Sequence, residues 1–309
     1  MTTHSCPIVF FGDPGDLWSF DWLKLLLSTT RGLDYKFFTD PDTAPTFSRS
    51  IVVTNNSVAY SYIRRIDQEQ KKFGVILLSD ETISEDMFYL ESKNCIFAAR
   101  TYVNPQYHEH PKVFTFGLGY KSGFKCAQKS IADKRFAWSF AGSLKADRGS
   151  AINEFCMRLK PFNITVFDKF NDPKNLTSAE YAKILADSIF VPAPQGGASN
   201  DSFRIYEALE AGSIPVVMNN AFSQNFKPSY WHYVFPGTQK FPFICEDSWI
   251  NASFRAYTLL TGSDKTTESL DLDYEELEKI QSECQTFWQY YKKLWQQKFK
   301  TNIEKLLAV

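Results

Sequence analysis

Two arginines and a glutamate stand where they could hold a phosphorylated ligand. In "QGGASNDSFRIYEALEAGSIPVV", Arg204 and Glu207 are three residues apart, so on a helix they share a face. Arg204 falls in that helix's first turn, where partial positive charge already disfavours a cation by about 0.3–1 kcal/mol. A bound anion removes the conflict, because phosphate oxygens accept from first-turn amides and from a guanidinium together. Glu207, one turn deeper, offers acceptors for a ribose diol. The plainer alternative is a surface pair worth about 0.2–0.5 kcal/mol.

Upstream, "FAGSLKADR" repeats the arrangement: a strand, the turn residues Gly142 and Ser143, then Lys145 and Arg148 before the next helix. Lys145 reads equally as a solvated loop charge. Arg148 and Arg204 together describe a diphosphate clamp built from arginine. Asn200, Asp201 and Ser202 offer candidate N-caps for the helix that carries Arg204.

The elements that must position these residues are α/β throughout. "CPIVFF", "DYKFFTD", "RSIVVTNN", "VILLSDE" and "NCIFAARTYV" read as strands, with helices at "LWSFDWLKLLLSTT" and at "SYIRRIDQEQKKFG", the latter ending at Gly74. The pattern weakens near residues 120–132. A second alternation then runs "FAWSFAGS", "RGSAINEFCMRLK", "NITVFD", "SAEYAKILADS", "IFVPAP", a helix over about 201–211 stopped by Gly212 and Pro215, and "SIPVVM". One or two amphipathic helices close the chain. The expected domains are 1–128, 129–285 and a C-terminal helix at 286–309 that packs back on the first domain. Alternating strands and helices require parallel sheets, whose ligands bind at the carboxyl edge.

The string Ser-Phe-Arg-x-x-Glu-Ala-Leu-x-Ala-Gly-x-Ile-Pro-Val at 202–216, preceded by "SIFVPAPQGGASND" and "RFAWSFAGSLKADRGS", resembles the donor site of exostosin-like glycosyltransferases, family 47 and its relatives. The likeness is good over about residues 134–220 and poor over the first 120. It implies the GT-B architecture, two facing Rossmann-like domains around a central cleft. It also implies that Arg148 and Arg204 hold the nucleotide diphosphate and Glu207 the ribose, that the loop of Gln195, Gly196 and Gly197 lies near the donor sugar, and that Ser202 belongs to the donor-binding set. The implied reaction is inverting, metal-independent transfer from a nucleotide-diphosphate sugar, a UDP-sugar by expectation, to a hydroxyl of a glycan or glycoconjugate. No cofactor is expected beyond that donor.

Inverting transfer needs a base for the acceptor hydroxyl, expected from the first half at a strand end. Glu81 and Asp80 after "VILLS" are the candidates, with Asp13 and Asp16 of "GDPGD" as alternatives, although "DETISED" also reads as a helix start. Arg100 fits a ligand contact or a structural ion pair.

Two D-x-D matches, Asp40/Asp42 and Asp271/Asp273, keep a metal-dependent glycosyltransferase open as the enzyme alternative. A non-catalytic nucleotide- or glycan-binding protein is the other. "HEH" at His108 to His110 lacks further ligands nearby and reads as surface loop. Walker and G-x-G-x-x-G motifs are absent, which removes the best evidence for ATPase or dehydrogenase activity.

A net charge of -1 over 309 residues gives no general attraction to nucleic acid or acidic membranes. Six scattered cysteines without C-x-x-C fit reduced thiols in a cytosolic location. No signal peptide or membrane anchor is legible, so a cytoplasmic protein is expected. The sequons at Asn55, Asn163, Asn175, Asn200 and Asn251 read as accidental.

Overall fold

Among the described residues every strand pairing is parallel, as the unalternated apolar runs require. The computed structural model describes residues 5–12, 17–55, 57–168, 175–220, 226–227, 229–262 and 274–309. The chain forms two units. The first holds Met1–Ser122, Tyr233–Phe235 and Tyr291–Val309; the second holds Gly123–His232 and Pro236–Tyr290.

The first unit is built from β1 (Cys6–Phe11), α1 (Phe20–Leu27), β2 (Leu33–Phe38), β3 (Arg49–Thr54), α2 (Tyr60–Gln68), β4 (Lys72–Leu77), β5 (Cys95–Arg100) and β6 (Val113–Thr115). Its sheet order is β2-β1-β3-β4-β5-β6. Val9, Val52, Val75 and Ala98, one from each of four strands, pack with Tyr62, Ile63 and Ile66 on the apolar face of α2.

That helix stops at Gln68, earlier than the sequence suggested. Gly74 lies inside β4 instead, where an added Cβ would stand 2.3 Å from the Phe97 ring. Here the glycine makes room for a neighbouring strand's aromatic ring; it does not end a helix.

The second half of the chain continues with β7 (Phe136–Ser143), α3 (Arg148–Arg158), β8 (Phe162–Phe167), α4 (Ser178–Ala186), β9 (Ser188–Pro192), α5 (Phe203–Glu210), β10 (Ile214–Met218), α6 (Tyr230–Val234), β11 (Ile244–Glu246), α7 (Trp249–Thr261) and α8 (Tyr274–Ala308). The sheet of the second unit runs β11-β10-β9-β7-β8. Trp138, Phe140, Phe155, Ile205, Leu209 and Val216 are buried in its core. α5 ends at Glu210 with Ala211 as its C-cap, and Gly212 takes the left-handed φ of 66° that a helix stop of this kind uses. The C-terminal pattern is one helix of 35 residues, α8, rather than two.

Both sheets are doubly wound Rossmann-like sheets in which the first strand lies between the second and the third. The order therefore reverses between β1 and β3 in one unit and between β7 and β9 in the other. Ligands of such sheets sit outside the carboxyl ends at that switch. Among the described residues, no helix is long and apolar enough to cross a membrane.

Candidate functional site

The carboxyl ends of β7 and β9 bring the donor-set residues together. Arg204, the second residue of α5, is only 9% exposed, and its Nη2 donates to the Ala141 carbonyl at 2.9 Å. Its guanidinium lies over the Phe140 ring, 4.8 Å from the centroid. Gly142 makes this seat possible: a Cβ there would come within 2.8 Å of Arg204 Nη2. The Nε is buried without a hydrogen-bond partner, a costly state for a charged donor.

At the same place the first turn of α5 lacks a side-chain cap. Ser202 has the extended backbone of an N-cap, but its hydroxyl donates to the Pro194 carbonyl at 3.4 Å and accepts nothing from the turn. A buried cation and uncapped amides thus coincide at one helix end, where their mutual repulsion favours an anion.

Glu207 is 5% exposed, so Arg204 and Glu207 are no surface pair. Tyr181 of α4 hydrogen-bonds with both Glu207 and Arg204; burial, then the Glu207 charge, pushes its hydroxyl well above its ordinary pKa. Tyr181 was invisible to spacing arguments, because it stands on a different helix and only the fold brings it to residues 204 and 207. Nearby, Asn200 is buried and donates its Nδ2 to the Met218 carbonyl at 3.2 Å, while its Oδ1 is buried without a partner. The Tyr206 hydroxyl donates to Asp201 Oδ2 at 2.9 Å, pinning the loop ahead of α5.

Arg148 has a different task from Arg204. Its Nη1 donates to the Ser143 carbonyl at 3.0 Å and hydroxyl at 3.2 Å, while Nε and Nη2 reach the carbonyls of Gln195 and Gly196 at 3.3 Å. It therefore straps the glycine-rich loop to the end of β7. Beside it, Asp147 is buried and accepts from Trp249 Nε1 at 2.7 Å. Burial raises that carboxyl above its ordinary value despite the Trp249 bond. Ala146 holds a left-handed φ of 49° in the same turn, a conformation that costs a non-glycine residue energy and clusters at functional sites. Gly197 is exposed in its loop, and so is the Lys145 side chain.

In the first unit Asp80 and Arg100 are engaged with each other. Asp80, one of the two expected bases, is half of a buried ion pair: its Oδ2 accepts from Arg100 Nη2 at 2.9 Å and its Oδ1 from the Ser84 amide at 3.0 Å. Arg100, fully buried, also donates to the Tyr102 carbonyl at 2.9 Å. Glu81 is half-buried on the same turn, next to the left-handed Ser79.

Of the D-x-D matches, Asp40 accepts from the Asp42 amide and the Thr43 hydroxyl, both at 2.9 Å. These bonds hold its carboxyl below the ordinary value. Asp271 and Asp273 lie outside the described residues, as do Asp13 and Asp16. His108 packs edge-on to Tyr233, and among the described residues no three His, Cys, Asp or Glu side chains group as metal ligands.

A family model described as the RXYLT1 C-terminal domain matches residues 165–305, which include α5 with Arg204 and Glu207. No curated protein matches the chain. Among solved structures, an alpha1,3-fucosyltransferase is similar at 11% identity and a TM-score of 0.49, over 94% of this chain and 92% of that one. A UDP-N-acetylglucosamine 2-epimerase is similar at 10% identity and a TM-score of 0.43, over 90% of each chain.

Proposed function

We propose that this protein is a glycosyltransferase of GT-B type, taking its sugar from a nucleotide diphosphate, a UDP-sugar, and passing it to a hydroxyl of a glycan or glycoconjugate. The match to a xylosyltransferase-related domain over 165–305 supports the transferase class. The observation that carries the donor assignment is Arg204, buried at the uncapped start of α5 with Nε unfilled.

In this reading the pyrophosphate accepts from Arg204 and the first-turn amides, which stabilise the leaving group as charge develops. Glu207, steadied by Tyr181, accepts from the ribose. Arg148 shapes the donor pocket by holding Gln195 and Gly196, and Gly197 and Ser202 line it. The acceptor proton goes to Glu81, since Asp80 is engaged with Arg100; inversion follows from attack opposite the departing diphosphate. No metal is needed where Arg204 and the helix amides meet the diphosphate. Exostosin-like relatives remain the family this donor segment resembles.

The test is a panel of nucleotide sugars scored by nucleotide release, with wild type and Arg204→Ala, in EDTA and in manganese. Release in EDTA from at least one UDP-sugar is expected, falling by about 10²–10³ in the variant, the usual cost of one such donor. Full activity in Arg204→Ala removes the assignment. Turnover only with manganese favours a metal-dependent transferase, and UDP binding without release from any donor favours a binding protein.

A further inference from the structure

Within the second unit a groove of about 810 Å3 opens beside the edge strand β11, inside the range of about 300–1,000 Å3 typical of small-molecule sites. Its lining includes Phe241 and Phe243, whose rings are parallel within 17° at 5.2 Å between centroids. Phe287 meets Phe243 edge-on at 5.6 Å, and His232 meets Phe241 at 4.9 Å. Packing of this kind fixes the rings and presents a rigid apolar platform.

The walls carry Lys240, Arg255 and Lys279 against Glu246, Glu276 and Glu283. The opposed charges cancel, so the groove lacks the positive field that would gather a polyanion. What remains is a dense array of planar donors and acceptors around aromatic rings, a chemistry suited to the vicinal hydroxyls and apolar faces of sugar rings. The groove also adjoins the donor region. Asn219 lines it directly after Met218, whose carbonyl accepts from Asn200 at 3.2 Å. Its amide is held in turn by Asp247 Oδ1 at 3.0 Å.

We propose that this groove binds an uncharged oligosaccharide, the chain of the acceptor, with a pyranose ring seated on Phe241 and its hydroxyls met by Arg255 and Glu246. The role as acceptor subsite rests on the glycosyltransferase reading; the binding does not. The test presents the whole chain to a printed array of neutral, uronate-bearing and phosphate-bearing glycans. Wild type, Phe241→Ala and Arg255→Ala are compared, and a UDP thermal shift is measured on each.

Neutral glycans should bind wild type, and each variant should weaken them by about tenfold, some 1.4 kcal/mol, with the UDP shift unchanged. Arg255 is exposed, so its variant keeps the test alive should Phe241→Ala misfold. Absence of neutral-glycan binding, a preference for the charged glycans, or variants that bind as wild type does would overturn the proposal. Neutral-glycan binding lost in both variants, without any UDP shift in wild type, sustains the groove and removes only the donor reading.

Discussion

Arg100 and Arg204 are both buried arginines near the carboxyl edge of a parallel sheet, yet their surroundings differ. Arg100 has a fixed protein partner for each nitrogen: Nη2 on Asp80, Nε on the Tyr102 carbonyl, Nη1 on the Met87 sulfur at 3.4 Å. Arg204 bonds Ala141 and Tyr181 and lies on Phe140, yet its Nε is unfilled, in the uncapped start of a helix. A buried charge that its own fold satisfies is structural, since leaving it unpaired would be expensive. One that its fold leaves short of partners is a candidate ligand contact. The position in each sheet agrees: Arg204 borders the switch between β7 and β9, whereas Arg100 ends β5, away from the switch between β1 and β3.

The comparison breaks first at Asp80. Asp80→Ala leaves Arg100 buried and unpaired, which should cost about 3–5 kcal/mol of stability and read as a lower urea midpoint. Nucleotide affinity per folded molecule should not change. A variant as stable as wild type that has lost catalysis would return Asp80 to the role of base.

A smaller effect sharpens the other half. Gly142→Ala puts a Cβ 2.8 Å from Arg204 Nη2 and 3.3 Å from Phe140. The remaining cost to the fold, read separately from the urea midpoint, is the φ of 158° that alanine must adopt there, because the guanidinium end can shift. Losing its bond to Ala141, worth about 0.5–1.5 kcal/mol, should weaken UDP binding severalfold by calorimetry. Unchanged affinity would mean that the seat is irrelevant to the ligand.

The smallest effect is at Asp147. Burial raises its carboxyl in the folded state above 3.8. The group therefore contributes stability below the unfolded value, and that contribution is lost as pH rises through the folded one. Asp147→Asn keeps an acceptor for Trp249 and removes the titration. The urea midpoint of wild type relative to the variant should fall as pH rises from below 3.8. The opposite slope would show that the ionised form is the one the fold favours.

The sequence carried the larger features because they rest on local signals. Apolar runs without alternation announced parallel strands, and the residues around Arg204 placed it in the first turn of a helix. What it withheld depends on distant partners. Whether Arg100 or Arg204 was satisfied could not be read, since Asp80 and Ala141 lie 20 and 63 residues away. Tyr181 reaches Glu207 only through the packing of α4 beside α5, and Gly74 read as a stop because the Phe97 ring it accommodates belongs to another strand. β6 and β11, three residues each, are too short to show a period.

The most direct measurement is a crystal structure with UDP. The account predicts pyrophosphate oxygens at about 2.7–2.9 Å from the Arg204 guanidinium, the spacing of a charge-assisted bond, with α5 amides completing the cradle. UDP held elsewhere, with Arg204 bonded only to Ala141 and Tyr181, would contradict it.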